Sequence, residues 1–270
     1  MIANKPTEPT AMPTVLTIPA FSDNYIWLLC DDKQKYAAIV DPGDADPVLD
    51  ALKSNKIEPV AILITHHHSD HVGGISALLQ QYPDLPIYGP KNENIPHRTH
   101  AIEEGDAITL EKINSRLEVI DVPGHTAGHI AYYDQQNLFC GDTLFASGCG
   151  RVFDGTLKDL HQSLQKLAKL PADTKIYCAH EYTLDNIGFA KWVEKDNQDL
   201  QTREQNCWNL IDNDTPTVPS LLGDELKTNP FLRCHEPTVI EKAEHFAGKT
   251  LNDSAAVFAA IRQWKDSEYD

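Results

Sequence analysis

Four histidines and one aspartate fall within six positions of the segment ILITHHHSDHVGG, residues 62–74. A lone histidine is usually a hydrogen-bonded core or surface residue, but imidazoles grouped with a carboxylate after an apolar run suit zinc, iron or manganese. Alternate residues of an extended chain share a side, so His66 and His68 can face one point while His67 faces away in a structural role. The HxHxDH spacing thus predicts four metal ligands: His66, His68, Asp70 and His71.

Three other apolar segments end in a possible ligand, within DVPGHTAGH, NLFCGDT and KIYCAHE. The seven side chains form two sets: His66, His68 and His125 for metal one, Asp70, His71 and His180 for metal two, and Asp142 as the bridge. Two metals about 3.5–4 Å apart can hold a hydroxide and clamp the oxygens of a tetrahedral intermediate. We predict two divalent ions, zinc first with iron or manganese as alternatives, and expect Asp70 also to orient the hydroxide. His129 is left out because, four residues after His125, it is more often packed behind such a site.

Strands and helices must position these ligands. The run PVAILIT, residues 59–65, predicts a strand buried on both faces that aims the first four. Other strands are predicted in 15–41 (three short ones), 85–90, 106–110, 116–124, 129–134, 137–142 and 175–180. Helices are predicted from an Asp44 or Asp46 cap to about residue 55, and over 73–82, 157–170, most of 182–214 and 253–269.

The composition and periodicity of the sequence change after His180. The chain beyond it is helical and polar, includes a loop-like stretch with three prolines at 214–230, and shows no strand pattern. We therefore predict two mixed sheets with outer helices over residues 14–180 and a helical domain over 181–270. Residues 1–13 are predicted to form a flexible tail.

Charge and cysteine usage limit the possible partners. Forty acidic against 23 basic residues give a net charge of −17, which repels nucleic acid and requires a local basic pocket for any anionic substrate. No run approaches the roughly 18 apolar residues of a membrane helix, and the N-terminus lacks a secretory apolar segment. The six cysteines form no CxxC pair. We expect reduced thiols, a cytoplasmic location, and neither nucleic acid nor membrane as a partner.

The motifs THHHSDH, PGHTAGH, GDTLF and AHEY, in that order, resemble the metallo-β-lactamase fold superfamily. IPAFSDNYIWLL, VDPGDA, LFCGDTLFASGCGR, CAHEYT and NPFLR resemble, more closely, the glyoxalase II (hydroxyacylglutathione hydrolase) family, from about residue 15 to the C-terminus. The resemblance implies an α/β fold, a metallo-β-lactamase-type αββα sandwich with a binuclear site and a C-terminal helical domain that helps bind glutathione. It implies a monomer that hydrolyses S-(2-hydroxyacyl)glutathione, typically S-D-lactoylglutathione, to glutathione and D-lactate in the second step of methylglyoxal detoxification.

The same resemblance assigns substrate-binding positions. It places Arg151, Tyr182 and Arg233 against glutathione, with Phe153 where many relatives have a tyrosine, so that one hydroxyl contact is lost. A lysine that some relatives have after Arg233 is missing here. Cys149, within GCGR, is expected to be a packed thiol rather than a nucleophile.

Four other functions fit the sequence less well than thioester hydrolysis. A mono-iron dioxygenase acting on glutathione persulfide would not use the second metal set, so Asp70, His71 and His180 favour hydrolysis. A β-lactam hydrolase has no role for the helical domain, and a nuclease would need a basic surface. A non-catalytic metal-binding or interaction protein is disfavoured because all seven ligand positions are filled.

Overall fold

A computed structural model describes residues 13–269, which form two six-stranded mixed sheets with helices packed on them. The strands are β1 Thr14–Ala20, β2 Asn24–Cys30, β3 Tyr36–Val40, β4 Glu58–Leu63, β5 Ile87–Pro90, β6 His100–Ile102, β7 Ala107–Leu110, β8 Ser115–Asp121, β9 Ile130–Tyr133, β10 Asn137–Gly141, β11 Leu144–Phe145, β12 Gly148–Cys149, β13 Lys175–Cys178 and β14 Ser220–Leu221. The helices are α1 Ala45–Asn55, α2 Ser69–Val72, α3 Ile75–Gln81, α4 Leu157–Leu167, α5 Thr183–Val193, α6 Gln198–Ile211, α7 Leu222–Thr228, α8 Pro237–Ala247 and α9 Ser254–Trp264.

Each sheet combines antiparallel and parallel pairing. The first has the order β1-β2-β3-β4-β5-β6, antiparallel from β1 to β3 and parallel from β3 to β6. The second has the order β14-β13-β10-β9-β8-β7, in which only β10 and β13 pair in parallel. Strands β11 and β12 form a separate hairpin. Two mixed sheets with helices packed on them are the architecture that the sequence predicts.

The alternation of side chains along β2 explains the two cores. Trp27 and Leu29 belong to the larger apolar cluster, which contains residues of both sheets. Ile26 and Leu28 point to the opposite face and join the smaller cluster with residues of α1 and α3. Since both faces of β2 are covered, all seven of its residues are buried.

Several predicted elements need correction. Residues 214–230, predicted as a loop, contain β14 and α7, and α8 was not predicted. Strand β14 is only two residues long and is defined by its pairing with Lys175 and Ile176. Two residues are too few to show a periodic pattern in the sequence. Strand β6 and the β11–β12 hairpin are similarly short and were also missed. Asp44, one of the two candidate caps, is the residue that caps α1.

The domain division at residue 180 stays a prediction. Of the predicted tail, residues 1–12 lie outside the described part of the chain. Strand β14 belongs to the second sheet although it follows residue 180, and the larger core contains residues from both sides of that position. Among residues 13–269, none of the helices is both long and apolar enough to cross a bilayer.

His161 gives the contact between α4 and α9 a pH dependence. Its ring lies 5.3 Å from that of Phe258, and its Nε2 is buried with no hydrogen-bond partner among residues 13–269. Burial lowers the pKa of His161, against the opposing charge of Asp253. The folded protein therefore binds the proton less readily than the unfolded chain, and stability is lost as the pH falls from about 6.5 through the folded pKa.

We expect His161→Leu to retain more of its melting temperature than the wild type when the pH is lowered from 7.5 to 5.5. For a chain of this size, each kcal/mol by which protonation of buried His161 lowers the free energy of unfolding lowers Tm by about 2–4 °C. Thermal melts of both proteins at the two pH values measure the difference, in which contributions from the other histidines cancel. Parallel pH dependences of the two proteins would contradict the prediction.

Candidate metal centre

The seven predicted ligands come from four separate segments and meet at one edge of the two sheets. His66 and His68 follow β4, and the adjoining α2 carries Asp70 and His71. The remaining three follow β8, β10 and β13 respectively: His125, Asp142 and His180. Each is thus placed where a strand ends, as in other α/β proteins, whose sites form at the carboxyl ends of strands.

Distances between the candidate donor atoms match metal coordination. His68 Nδ1 lies 3.1 Å from His66 Nε2 and 3.0 Å from His125 Nε2. His180 Nε2 lies 3.4 Å from Asp70 Oδ2 and 3.4 Å from Asp142 Oδ2. Tetrahedral ligands held 2.0–2.1 Å from a metal are roughly 3.3 Å apart, so the side chains are already spaced as ligands.

The donor atoms fall into three overlapping groups. The first contains His66, His68 and His125, the second His66, His71 and Asp142, and the third Asp70, His71 and His180. Asp142 Oδ1 lies 3.5 Å from His71 Nε2, and its Oδ2 lies 3.4 Å from His125 Nε2. The Asp142 carboxylate therefore lies between the two sets that the sequence predicts.

Hydrogen bonds at the far ring nitrogens orient three of the imidazoles. Each Nδ1–H donates to an oxygen that can only accept: His71 to Asp41 at 3.0 Å, His125 to the Arg151 carbonyl at 2.7 Å, and His180 to Asp23 at 2.7 Å. In the neutral imidazole, Nε2 then carries the lone pair and faces the centre. The buried Nε2 of His71 and Oδ1 of Asp142 have no hydrogen-bond partner among residues 13–269, as expected of atoms that serve a metal.

Thr65 extends the same arrangement to His66. Its hydroxyl donates to Asp41 Oδ2 at 2.7 Å, so the Thr65 oxygen accepts from His66 Nδ1, 3.1 Å away. Asp70 is held in turn by Asn24, whose Nδ2 donates to Asp70 Oδ2 at 3.0 Å. These partners fix the orientation of the ligands before any metal binds.

The protonation states also suit a cation. Burial and neighbouring imidazoles lower the pKa values of His66 and His68, and burial lowers that of His125, so all three are neutral ligands at pH 7. Although burial opposes it, the charges of His71 and His180 hold the pKa of Asp142 well below its ordinary value. Despite its own burial, His180 has a pKa raised to about 10, mainly by Asp142. A metal would displace the protons that these carboxylates now hold on the imidazoles.

Two glycines allow the backbone to close around the ligands. A Cβ added at Gly43 would lie 1.8 Å from the Asp70 carbonyl oxygen. One added at Gly150, within GCGR, would lie 2.0 Å from the carbonyl oxygen of Asp142 and 3.1 Å from His125 Nδ1. Any larger residue at either position would displace a ligand.

Histidines 67 and 129 lie behind the ligands. The His129 ring stacks on His66 with centroids 4.6 Å apart, and its Nε2 accepts the Asp142 backbone N–H at 3.2 Å. His67 turns away from the centre and donates to Glu93 at 2.8 Å. Neither belongs to a group of donor atoms among the described residues.

A cavity of about 520 Å³ opens above the ligands. Arg151 and Phe153 line it, and the Phe153 ring lies 5.1 Å from the rings of both His68 and His125. Tyr182 stacks on His180, with ring centroids 4.8 Å apart. Three of the four predicted substrate-binding residues therefore line the space next to the ligands.

The structure does not bring Arg233 to this cavity. Its guanidinium donates twice to Glu194, at 2.7 and 3.1 Å, and once to the Leu226 carbonyl, and it lines a separate hollow. The basic residues that do line the cavity with Arg151 are Arg262 and Lys265. Asp266 organises this group, since its Oδ1 lies 2.8 Å from Arg262 Nη2 and 3.5 Å from Arg151 Nε.

Sequence reasoning missed Arg262 and Lys265. The available signal was RQWK near the end of the last helix, where cations three residues apart share a helical face. Nothing in that spacing shows that the face packs against GCGR, more than 100 positions earlier. Cys149 also lines the cavity, and burial raises its pKa to about 11, so it is a thiol and not a nucleophile at neutral pH.

Comparisons with known proteins agree with this geometry. The family model of the metallo-beta-lactamase superfamily matches residues 21–180, and that of the hydroxyacylglutathione hydrolase C-terminus matches residues 181–268. A hydroxyacylglutathione hydrolase from Nitrosomonas europaea is 52% identical over 95% of this chain and 97% of its own length. The chain belongs to the hydroxyacylglutathione hydrolase family. Another of the same name, from Aeromonas salmonicida, is 51% identical over 94% of this chain and 99% of its own.

Solved structures place this family member within the wider fold. ETHE1 from Myxococcus xanthus has a TM-score of 0.62 at 21% identity, covering 93% of this chain and 96% of its own. The TTHA1623 protein in a di-iron-bound form has a TM-score of 0.56 at 26% identity, covering 81% of this chain and 100% of its own. The first likeness concerns the fold alone.

Proposed function

We propose that this chain hydrolyses the thioester of S-(2-hydroxyacyl)glutathione, typically S-D-lactoylglutathione, to glutathione and a 2-hydroxy acid. One observation carries the proposal: seven candidate metal ligands line or lie beneath a cavity that Arg151, Arg262 and Lys265 also line. In a chain with a net charge of −17, such a group of cations suits a ligand that bears carboxylates. The names of its relatives point to the same activity.

The ligand sets would hold two divalent metal ions, zinc first. His66, His68 and His125 would hold one, Asp70, His71 and His180 the other, and Asp142 would serve both. When bound, the ions would supply Lewis acidity and make water nucleophilic at neutral pH. The second set supports hydrolysis over the mono-iron persulfide dioxygenase, which has no use for it.

The protein's own groups position the reaction. Asp70, held by Asn24, lines the cavity and orients the attacking water toward the thioester carbonyl. Attack forms a C–O bond while the water loses its proton to the solvent, the C–S bond then breaks, and the sulfur leaves as a thiolate. A thiolate leaves readily, so the cavity needs no acid to protonate it. Phe153, a residue that is 66% exposed, covers His68 and His125 and gives the substrate an apolar surface.

The glutathione part would lie along the cationic wall, the side of the cavity lined by Arg151, Arg262 and Lys265. Arg151 and Lys265, whose Nζ lies 3.3 Å from Asp185 Oδ2, would bind its carboxylates, and Tyr182 would contact the peptide. Arg262, only 1% exposed, donates to the Cys149 carbonyl at 3.2 Å and supports the wall from beneath. We place the enzyme, as a monomer, in the cytoplasm, and its six free, buried thiols support a reducing compartment.

Chelation tests the proposal. We expect purified enzyme to release thiol from S-D-lactoylglutathione, to lose at least about 99% of that activity when a chelator removes the metal, and to recover it with Zn²⁺. A thiol-reactive dye follows the reaction, and circular dichroism shows whether the metal-free chain stays folded. Thiol release that a chelator does not affect, or no thiol release from metal-loaded protein, would contradict the proposed metal-dependent hydrolase.

A further inference from the structure

We propose that Glu93 is a positioning residue that joins the two histidine loops of the metal centre. One loop is residues 66–71, and the other is residues 125–129. Glu93 belongs to neither, because it lies between β5 and β6, and its side chain is only 3% exposed. The inference rests on the ligand set used in the proposed function, but its test does not depend on turnover.

The two carboxylate oxygens of Glu93 serve different loops. Oε2 accepts from His67 Nδ1 at 2.8 Å, and His67 stands between the ligands His66 and His68. Oε1 accepts from the hydroxyl of Thr126, the residue after the ligand His125, and from the backbone N–H of Gly128 at 3.2 Å. A carboxylate is suited to this place because it only accepts, and every neighbouring group that it contacts donates.

The loop that carries Glu93 is itself held in place. Arg98 Nη1 donates to the carbonyl oxygen of Glu93 at 2.8 Å and also to that of Pro90. Ile95, within the same loop, is buried in the smaller core and lies over Gly89. These contacts attach the carboxylate to the first sheet through β5 rather than leaving it on a free loop.

Close packing shows that the second histidine loop rests on Glu93. A Cβ added at Gly128 would lie 2.6 Å from Glu93 Cγ and 3.1 Å from the backbone of Asn92. The distance between His68 Nδ1 and His125 Nε2, 3.0 Å, spans the two loops that the carboxylate joins. Loss of the carboxylate would therefore loosen the spacing of the first ligand set without removing a ligand.

Glu93→Gln tests the hydrogen bonds of the carboxylate without changing the size of the buried side chain. Glutamine keeps the shape of glutamate but turns one acceptor into a donor, which opposes the Gly128 N–H on one side or forces His67 into its other tautomer on the other. We expect Zn²⁺ affinity, measured by competition with a chromophoric chelator, to fall by about 10–100-fold, as for other groups that hold metal ligands. The matched control is Glu103→Gln, since Glu103 makes an exposed ion pair with Lys91, and we expect it to bind Zn²⁺ like the wild type.

Thr126→Val and His67→Ala test the two connections one at a time while Glu93 remains. Each should weaken Zn²⁺ binding, and Glu93→Gln combined with Thr126→Val should lose less than the product of the two single losses because they share one carboxylate. These two variants also decide the matter if Glu93→Gln does not fold. The cobalt-substituted proteins provide a second readout, in which a disturbed ligand set shifts the visible absorption bands.

Wild-type Zn²⁺ affinity and cobalt spectra in Glu93→Gln would overturn the role of Glu93, as would fully multiplicative losses in the double variant. Unchanged Zn²⁺ affinity in both His67→Ala and Thr126→Val would also overturn it. The proposed hydrolase function fails separately, through the absence of thiol release from wild-type protein that binds Zn²⁺ normally.

Discussion

Asp142→Ala is expected to lower kcat for S-D-lactoylglutathione by about a thousandfold. The buried Asp142 carboxylate lies within 3.5 Å of donor atoms on His71, His125 and His180, so its loss affects both ligand sets together. The charge stabilisation that a metal centre supplies amounts to several kcal/mol, and each 1.36 kcal/mol is a tenfold change in rate. Initial rates of thiol release, with the Zn²⁺ content measured on the same sample, quantify the effect.

Asp84→Ala is the matched control for that substitution, because Asp84 is exposed and distant from the ligands in the fold. We expect its kcat to stay within about twofold of the wild type, in keeping with surface substitutions away from functional features. If Asp142→Ala retained both its Zn²⁺ and more than about a tenth of the wild-type kcat, Asp142 could not be the shared ligand.

Removal of the cationic wall is expected to affect substrate binding rather than chemistry. We expect Arg151→Ala and Lys265→Ala each to raise KM for S-D-lactoylglutathione about tenfold, with kcat nearly unchanged, and the double variant to raise it about a hundredfold. A hydrogen bond to a charged group contributes about 1.5–3 kcal/mol, and the lower end applies to the half-exposed Arg151. Contacts that bind substrate and transition state equally change KM alone.

A second substrate makes this test specific. The lactoyl thioester of N-acetylcysteamine has no carboxylates, so its kcat/KM should be the same in both single variants and the wild type. Lys169→Ala, at an exposed lysine outside the cavity, is the control for a general change in charge. An equal loss for both substrates would show that the cations support the fold or the chemistry and do not bind glutathione.

The ligand set could be predicted from sequence because its geometry is largely local. His66, His68, Asp70 and His71 lie on one strand end and the turn after it, where backbone alternation decides which side chains share a face. His125, Asp142 and His180 also follow buried strands, and strands of one sandwich end at a common edge. An apolar run that stops at a titratable residue marks each candidate, although Asp41 follows β3 in the same way and only orients His71.

The basic residues that line the cavity could not be predicted in the same way. The resemblance places Arg233 against glutathione, but in the structure Arg233 lines a separate hollow, and α9 with the turn after it brings Arg262 and Lys265 to the cavity. Which face of α9 meets α4 depends on the packing of both helices on the larger core, to which distant parts of the chain contribute. The sequence of α9 alone does not show which part of the protein its basic face contacts.

The residues alone predict which seven side chains can bind metal, in which sets, and behind which strands. The contacts that orient the site are visible only in the packed structure, since Asp41, Asp23 and Glu93 reach His71, His180 and His67 across 26 to 157 positions of the chain. The difference lies in the range of the interactions. Ligand spacing follows from the geometry of neighbouring peptide units, whereas hydrogen bonds between separate loops exist only after the two sheets have packed and brought those loops together.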